Sequence, residues 1–159
     1  MRQFLTLNFK PILSIVIVIF LSGICYAKSD RLDYDYNIYG VSIAKEGYYL
    51  VEVSVTVDKK KEATMDVVKQ YAILGCLYKG FIVDNISQKP ILSQPLNDKD
   101  KDYVRRIILQ EFNTYTSSSY PLQTVKIGKK YRVTGTVLVL KENLRRNLED
   151  AGIIRKLGF

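Results

Sequence analysis

Two stretches of the chain alternate between apolar and polar residues, which is the pattern of a β-strand with one buried face. In residues 49–57 a tyrosine and four valines occupy every second position, and mostly polar residues lie between them. Residues 131–139 repeat this arrangement with a tyrosine, a glycine and three valines. Gly47 and Gly128 precede the two stretches and suit hairpin turns. The pattern therefore predicts two β-hairpins, one in each half of the chain.

The spacing of apolar residues changes to three and four in three other segments, which predicts amphipathic helices. The first helix is expected over residues 63–79, with Thr64 at its N-cap and Gly80 just after its end. A second apolar stripe lies between residues 97 and 115, and a third ends at Gly152.

These elements run in the order β-β-α-α-β-β-α, which predicts an α+β fold. Strands with one polar face indicate a mostly antiparallel sheet, and the helices are expected on its other face in a two-layer sandwich. We expect a flexible lead-in, or alternatively a short edge strand, over residues 28–37 and a single domain over residues 38–159. Within it, residues 82–100 contain two prolines and are expected to form an irregular loop.

The N-terminus has the composition of a secretory signal peptide over residues 1–27. Two basic residues precede an apolar run over residues 11–24, and Ala27 offers a small residue for cleavage. This run is shorter than the roughly 20 residues that a membrane-spanning helix needs, so we favour cleavage over a retained anchor. We therefore expect an exported protein, periplasmic or associated with the outer membrane.

Cys25 raises a second way of attaching the chain to a membrane. A lipid on this cysteine would convert a soluble protein into an anchored one. The bulky Ile24 stands where a small residue is preferred, which disfavours lipidation.

Charge and residue usage restrict the possible chemistry. The chain has 24 basic and 16 acidic residues and no histidine. A basic exported protein could bind anionic lipid or surface polysaccharide, whereas export makes nucleic acid an unlikely partner. Without histidine the chain lacks the commonest general base and metal ligand, so we expect no catalytic activity, no cofactor and no metal.

Cys76 lies in a run of small residues, and two interpretations compete for it. A catalytic cysteine needs a base or an electropositive neighbour, whereas a buried cysteine behaves as a small hydrophobe. Ala72, Gly75, Cys76 and Gly80 are expected to form a shallow strip that lets the helix approach the sheet closely.

Acidic residues offer a further set of candidates. Asp98, Asp100 and Asp102 have part of the spacing of a calcium loop, but the glycine and the last glutamate of that loop are missing. We interpret them as a helix N-terminus. An enzyme acting on glycans through two carboxylates remains an alternative, with Glu52, Asp84 and Glu111 as further candidates.

Tyrosines crowd the first hairpin and offer a surface for a partner. Tyrosine is enriched at protein interfaces, although it is also common in strands. We take four tyrosines as candidate partner-binding residues: Tyr34, Tyr36, Tyr39 and Tyr48.

Two stretches, "ATMDVVKQYAILGCLYKGF" and "IGKKYRVTGTVLVLKENLRRNLEDAGII", resemble segments of exported proteins of gram-negative bacteria. The arrangement is more distantly similar to small α+β domains of envelope-assembly lipoproteins and to the N-terminal domain of TolB. The resemblance implies binding to other envelope proteins, and it implies no catalytic residues. The first hypothesis is thus a non-enzymatic binding or assembly protein of the envelope. The alternatives are a basic module for anionic lipid or polysaccharide, and a carboxylate-only glycan enzyme.

Overall fold

The computed structural model describes residues 31–45, 47–118 and 121–156, and the predicted signal peptide with Cys25 lies outside them. The predicted α+β class is confirmed, since helices pack on an antiparallel sheet. In chain order the elements are β1 (Asp35–Lys45), β2 (Tyr48–Val57), a 3₁₀ turn (Lys60–Glu62), α1 (Met65–Tyr78), β3 (Phe81–Val83), β4 (Ile86–Gln88), α2 (Asp98–Leu109), α3 (Phe112–Tyr115), β5 (Thr116–Ser118), β6 (Gln123–Ile127), β7 (Lys130–Leu140) and α4 (Lys141–Asp150).

The main sheet has the order β1-β2-β7, and its far edge is shared by two short strands. β5 pairs with one end of β7 at Val137–Val139, and β6 pairs with the other end at Lys130–Thr134. β1 forms the opposite edge and pairs only with β2 among the described strands. The sheet therefore presents two edges of different construction.

The core lies between the sheet and α1. The alternating valines of β2 and β7 are fully buried, and the registers pair Val51 with Val137 and Val55 with Val133. The positions between them are partly or fully exposed, so the other face of the sheet is open to solvent. Thr64 caps α1 by accepting a bond from the Val67 amide at 3.3 Å, as its residue type predicts.

Two glycines set the distance between α1 and the sheet. A Cβ added to Gly75 of α1 would lie 2.8 Å from a terminal methyl of Ile38 in β1. A Cβ on Gly135 of β7 would lie 3.3 Å from Val68 in α1. Small residues on facing elements thus bring the helix against the sheet.

The expected flexible lead-in over residues 28–37 is wrong from Asp35 onwards, where the alternative, an edge strand, begins as β1, and residues 28–30 lie outside the described part of the chain. In the stretch "DYDYN" the tyrosines alternate with polar residues, and this is the period of a strand. Tyr34 is buried and Tyr36 is partly buried, whereas Asp35 is exposed. The polar composition of the exposed positions is what favours a flexible lead-in.

The expected irregular loop over residues 82–100 also differs in part, because β3 and β4 form a hairpin there. Its two-residue turn is Asp84–Asn85, with φ angles of 49° and 61°. Asp and Asn tolerate this left-handed conformation better than other residues with side chains, and such turns match the twist of paired strands. The strands have only three residues each, which is too short to show alternation.

Candidate functional site

The four candidate tyrosines do not form a single surface. Tyr34 is only 7% exposed, and Tyr36 is partly buried with its ring 5.1 Å from that of Tyr71 in an edge-to-face arrangement. Tyr48 is partly buried near the other end of the sheet, opposite Leu140. Only Tyr39 is widely exposed, at 58%.

Tyr34 and Tyr36 instead attach β1 to α1. The Tyr34 amide donates to the hydroxyl oxygen of Tyr71 at 2.7 Å, and the Tyr34 hydroxyl donates to the Glu62 carboxylate at 3.1 Å. Lys79, just after α1, lies over the Tyr36 ring and donates to the Tyr36 carbonyl at 3.2 Å. Burial raises the pKa of Tyr71 to about 12. These tyrosines are parts of the folded scaffold.

Tyr39 belongs to a different apolar surface, which we call the β1-edge patch. It consists of the exposed side chains of Tyr39, Val41, Ile43, Ile82 and Ile86. β3 reaches β1 at Gly40, where an added Cβ would lie 2.4 Å from the Cβ of Val83 and 2.5 Å from the Ile82 carbonyl oxygen. Because successive side chains of a strand point to opposite faces, β3 packs on the face of β1 that is opposite to Tyr39, and the patch spans both elements.

The backbone of β1 is open along part of this patch. Two of its outward groups, the Tyr34 amide and the Tyr36 carbonyl, bond to side chains from α1 and from Lys79. The next outward-facing backbone groups along β1 are those of Ile38 and Gly40. No described residue outside β2 forms a hydrogen bond to them. Beyond Gly40 the register shifts, which bends the edge. An extended segment thus finds free backbone groups beside an apolar surface.

The second part of the 82–100 segment lines a groove against the C-terminal part of the chain. A cavity of about 630 Å³ lies among residues 91–97, Arg145 and residues 153–156. An adjoining cavity of about 810 Å³ continues between α2 and α4, past Tyr103 and Asp150. The walls of the groove contain leucine and isoleucine side chains together with acidic and basic residues. This groove is concave, but no feature of it selects one ligand class.

The candidate strip of small residues lies inside the protein. Ala72, Gly75, Cys76 and Gly80 are all buried, and Gly80 has a φ of 71° after the end of α1. Burial raises the pKa of the Cys76 thiol to about 12. A thiol in this environment is protonated at neutral pH and shielded from solvent.

The candidate carboxylates lie on separate elements. Glu52 is on the open face of the sheet, Asp84 is in the β3–β4 turn, and Glu111 forms an ion pair with Arg106 at 3.0 Å. Asp98 and Asp100 occupy the first turn of α2, whose N-cap is Asn97. Among the described residues, no group of three metal-ligating side chains is close enough to hold an ion.

Lys141 at the start of α4 holds the β3–β4 hairpin in place. Its ammonium group lies 5.5 Å from the ring centre of Tyr49 and 5.7 Å from that of Phe81. It also donates to the Lys89 carbonyl at 3.1 Å, just after β4. Partial burial lowers the pKa of this lysine. The hairpin side of the β1-edge patch is thus fixed by an interaction that sequence spacing does not show.

No protein-family model, curated protein or solved structure matches the chain. Within the described ranges, no helix combines the length and the apolar content that crossing a membrane requires.

Proposed function

We propose that the protein is an exported, non-enzymatic binding protein of the bacterial cell envelope. In this proposal, the β1-edge patch receives an extended, apolar segment of a partner protein. The supporting observation is the position of the exposed apolar side chains. Eight large hydrophobic residues are exposed in the part of the chain that the structure describes, and five of them lie in this patch.

The chemistry of the patch favours a peptide segment over a charged ligand. Residues 38–44 and residues 81–83 contain no charged residue. Large exposed apolar side chains on neighbouring elements, here β1 and the β3–β4 hairpin, suit a protein interface. The free backbone groups of β1 would supply hydrogen bonds, and Tyr39, Val41 and Ile82 would supply apolar contact.

The location in the envelope rests on the signal peptide predicted from residues 1–27. Cleavage after Ala27 is expected to leave a chain that begins at Lys28, only a few residues before β1. The mass of the protein recovered from a gram-negative host tests this expectation. The mass of the whole chain, or of a chain with lipid at Cys25, would contradict simple cleavage.

The binding proposal is tested by placing a charge in the patch. Lysine on an edge strand opposes the addition of another strand, so Val41→Lys and Ile82→Lys are expected to abolish partner capture. The measurement is crosslinking in the native envelope, followed by affinity purification and mass spectrometry. Val125→Lys is the matched control, because Val125 is 59% exposed on the opposite edge.

The result that supports the proposal is a discrete protein that the wild type and Val125→Lys both retain and both patch variants lose. Equal retention by all four proteins would exclude the β1 edge as the binding surface. Recovery of only a second copy of this chain would make the patch a dimer interface, and light scattering at several concentrations would show it.

A further inference from the structure

The hairpin of β6 and β7, on the edge opposite to β1, projects from the body of the protein. Every residue of β6 is exposed, and so are the turn residues Gly128 and Lys129. Gly128 has a φ of 61°, and a Cβ added to it would meet nothing within 4 Å. The tip is thus a two-residue turn that stands free of the other described elements.

This hairpin combines apolar and cationic side chains. Val125 is 59% exposed and Ile127 is 42% exposed. Residues 125–132 also contain four cations and no acid. The ladder pairs Val125 with Arg132 and Ile127 with Lys130, which places apolar and cationic residues side by side on the same face of the sheet.

Most of this positive charge is not neutralised within the protein. Lys130 lies 3.5 Å from the Asp58 carboxylate, which it shares with Arg31. Lys126, Lys129 and Arg132 form no ion pair with any residue that the structure describes. Three more lysines, 59–61, directly follow Asp58 in the chain. The end of the sheet at this hairpin therefore has more basic than acidic residues, although Asp33, Asp35, Asp58 and Glu62 also lie there.

We propose that the β6–β7 hairpin docks the domain on an anionic lipid bilayer. Val125 and Ile127 enter the interface between headgroups and acyl chains, while the neighbouring cations contact lipid phosphates. A bilayer with anionic lipid offers both an apolar layer and negative charge, whereas a soluble polysaccharide offers only the charge. The pairing of the two residue types on one face is what favours lipid.

The path of the chain is consistent with this orientation. Arg31 is tied to Asp58 at 2.9 Å, and Asp58 also contacts Lys130 of the hairpin. The chain thus enters the domain at the end of the sheet that carries the basic hairpin.

Flotation of the protein that begins at Lys28, the form expected after cleavage, with lipid vesicles tests this docking. The vesicles contain phosphatidylcholine alone or phosphatidylcholine with phosphatidylglycerol. The test variant carries Lys126→Gln, Lys129→Gln and Arg132→Gln. The control variant carries Lys89→Gln, Lys99→Gln and Arg146→Gln, which remove the same charge from exposed positions elsewhere. The variants differ from the wild type only at these positions, so a difference between them reports on the hairpin.

We expect the wild type to float with anionic vesicles and to be released at about 1 M salt, where the screening length is about 3 Å. The hairpin variant should lose at least about tenfold in apparent affinity, and the control variant less than about twofold. Equal losses in both variants, or equal binding of all three proteins to phosphatidylcholine alone, would overturn the proposal. Thermal unfolding of each variant verifies that it is folded.

A second pair of variants separates lipid from a soluble polyanion. Val125→Thr with Ile127→Thr is expected to weaken flotation several-fold and to leave capture on dextran sulfate beads unchanged. Ile82→Thr with Ile86→Thr, in the β1-edge patch, is the control and should float like the wild type. Unchanged flotation of the Val125/Ile127 variant would mean that the hairpin recognises charge alone, and it would overturn the proposed insertion.

Discussion

The two edges of the main sheet expose apolar side chains to a similar extent, but they differ in charge and in support. Tyr39 is 58% exposed on β1 and Val125 is 59% exposed on β6. The β1 edge is uncharged over residues 38–44 and is packed against the β3–β4 hairpin at Gly40. The β6 edge carries a basic hairpin that touches little else.

The difference shows that exposure alone does not define a binding surface. An apolar edge next to free backbone groups suits a protein segment, and its binding should depend little on salt. An apolar edge among unpaired cations suits an anionic interface, and its binding should fall steeply with salt. The context of each exposed residue therefore decides which ligand class it fits.

The largest effect that separates the two edges is expected from adding one methyl group to a glycine. Gly40→Ala would place a Cβ 2.4 Å from Val83 and 2.5 Å from the Ile82 carbonyl, so the β3–β4 hairpin must move. We expect a loss of about 3 kcal/mol in the free energy of unfolding, the upper end of overpacking effects. Denaturant unfolding measures it.

Gly128→Ala is the matched control on the other edge. Its Cβ would meet no atom within 4 Å, and the left-handed backbone alone costs about 1 kcal/mol. Equal losses for the two variants would contradict the close packing of β3 on β1.

The next largest loss of stability is expected where β1 is attached to α1. Tyr71→Phe removes the hydroxyl that accepts from the Tyr34 amide at 2.7 Å and leaves that buried amide without this partner. We expect a loss of about 2 kcal/mol in the free energy of unfolding. Tyr131→Phe, on the partly exposed start of β7, is the control and should change it by less than about 0.5 kcal/mol.

Alkaline pH should lower the free energy of unfolding, because it favours ionisation of two buried groups of α1. Burial raises the folded-state pKa of Tyr71 to about 12, and that of Cys76 to about 12, above the values of an unfolded chain. The folded state then holds these protons more tightly than the unfolded state. The stability that they contribute is complete below about pH 8.5 and is lost as the pH rises towards about 12.

Thermal unfolding between neutral pH and pH 11 checks this sign, and modification of Cys76 by a thiol reagent follows the opening of the core. Tyr71→Phe should show a shallower loss on the alkaline side. A wild-type protein whose stability rose over this range would contradict the burial of these two groups.

The smallest change in the free energy of unfolding is expected at the β6 edge. Val125→Thr and Ile127→Thr keep β-branched side chains at exposed positions, so each should change the free energy of unfolding by less than about 0.5 kcal/mol. Larger losses, measured by denaturant unfolding, would show that these residues stabilise the fold and are not available for a ligand.

Much of the fold could be predicted from local patterns. The alternating valines predict β2 and β7 as half-buried strands. Thr64 and Gly80 predict where α1 begins and ends. The β3–β4 hairpin was not predicted because its strands are short and its turn depends on two left-handed residues.

The candidate surface was harder to predict because it depends on tertiary contacts. Tyr34, Tyr36 and Tyr39 are neighbours of the same type in the sequence, yet only Tyr39 faces solvent widely. The alternation of "DYDYN" contained the signal that places Tyr34 and Tyr36 on the core face. Ile82 joins Tyr39 at one edge only because β3 packs against Gly40, and no local pattern shows that contact.

The most direct test of the central proposal, that the β1 edge binds a protein, is partner capture from the native envelope at about 0.1 M and about 1 M salt. Three proteins are compared: the wild type, Val41→Lys, and the variant lacking Lys126, Lys129 and Arg132 charges. We predict a protein partner that withstands high salt, is lost with Val41→Lys, and is kept by the hairpin variant. A partner that is kept by Val41→Lys, or that is released by salt and lost with the hairpin charges, would contradict the proposal.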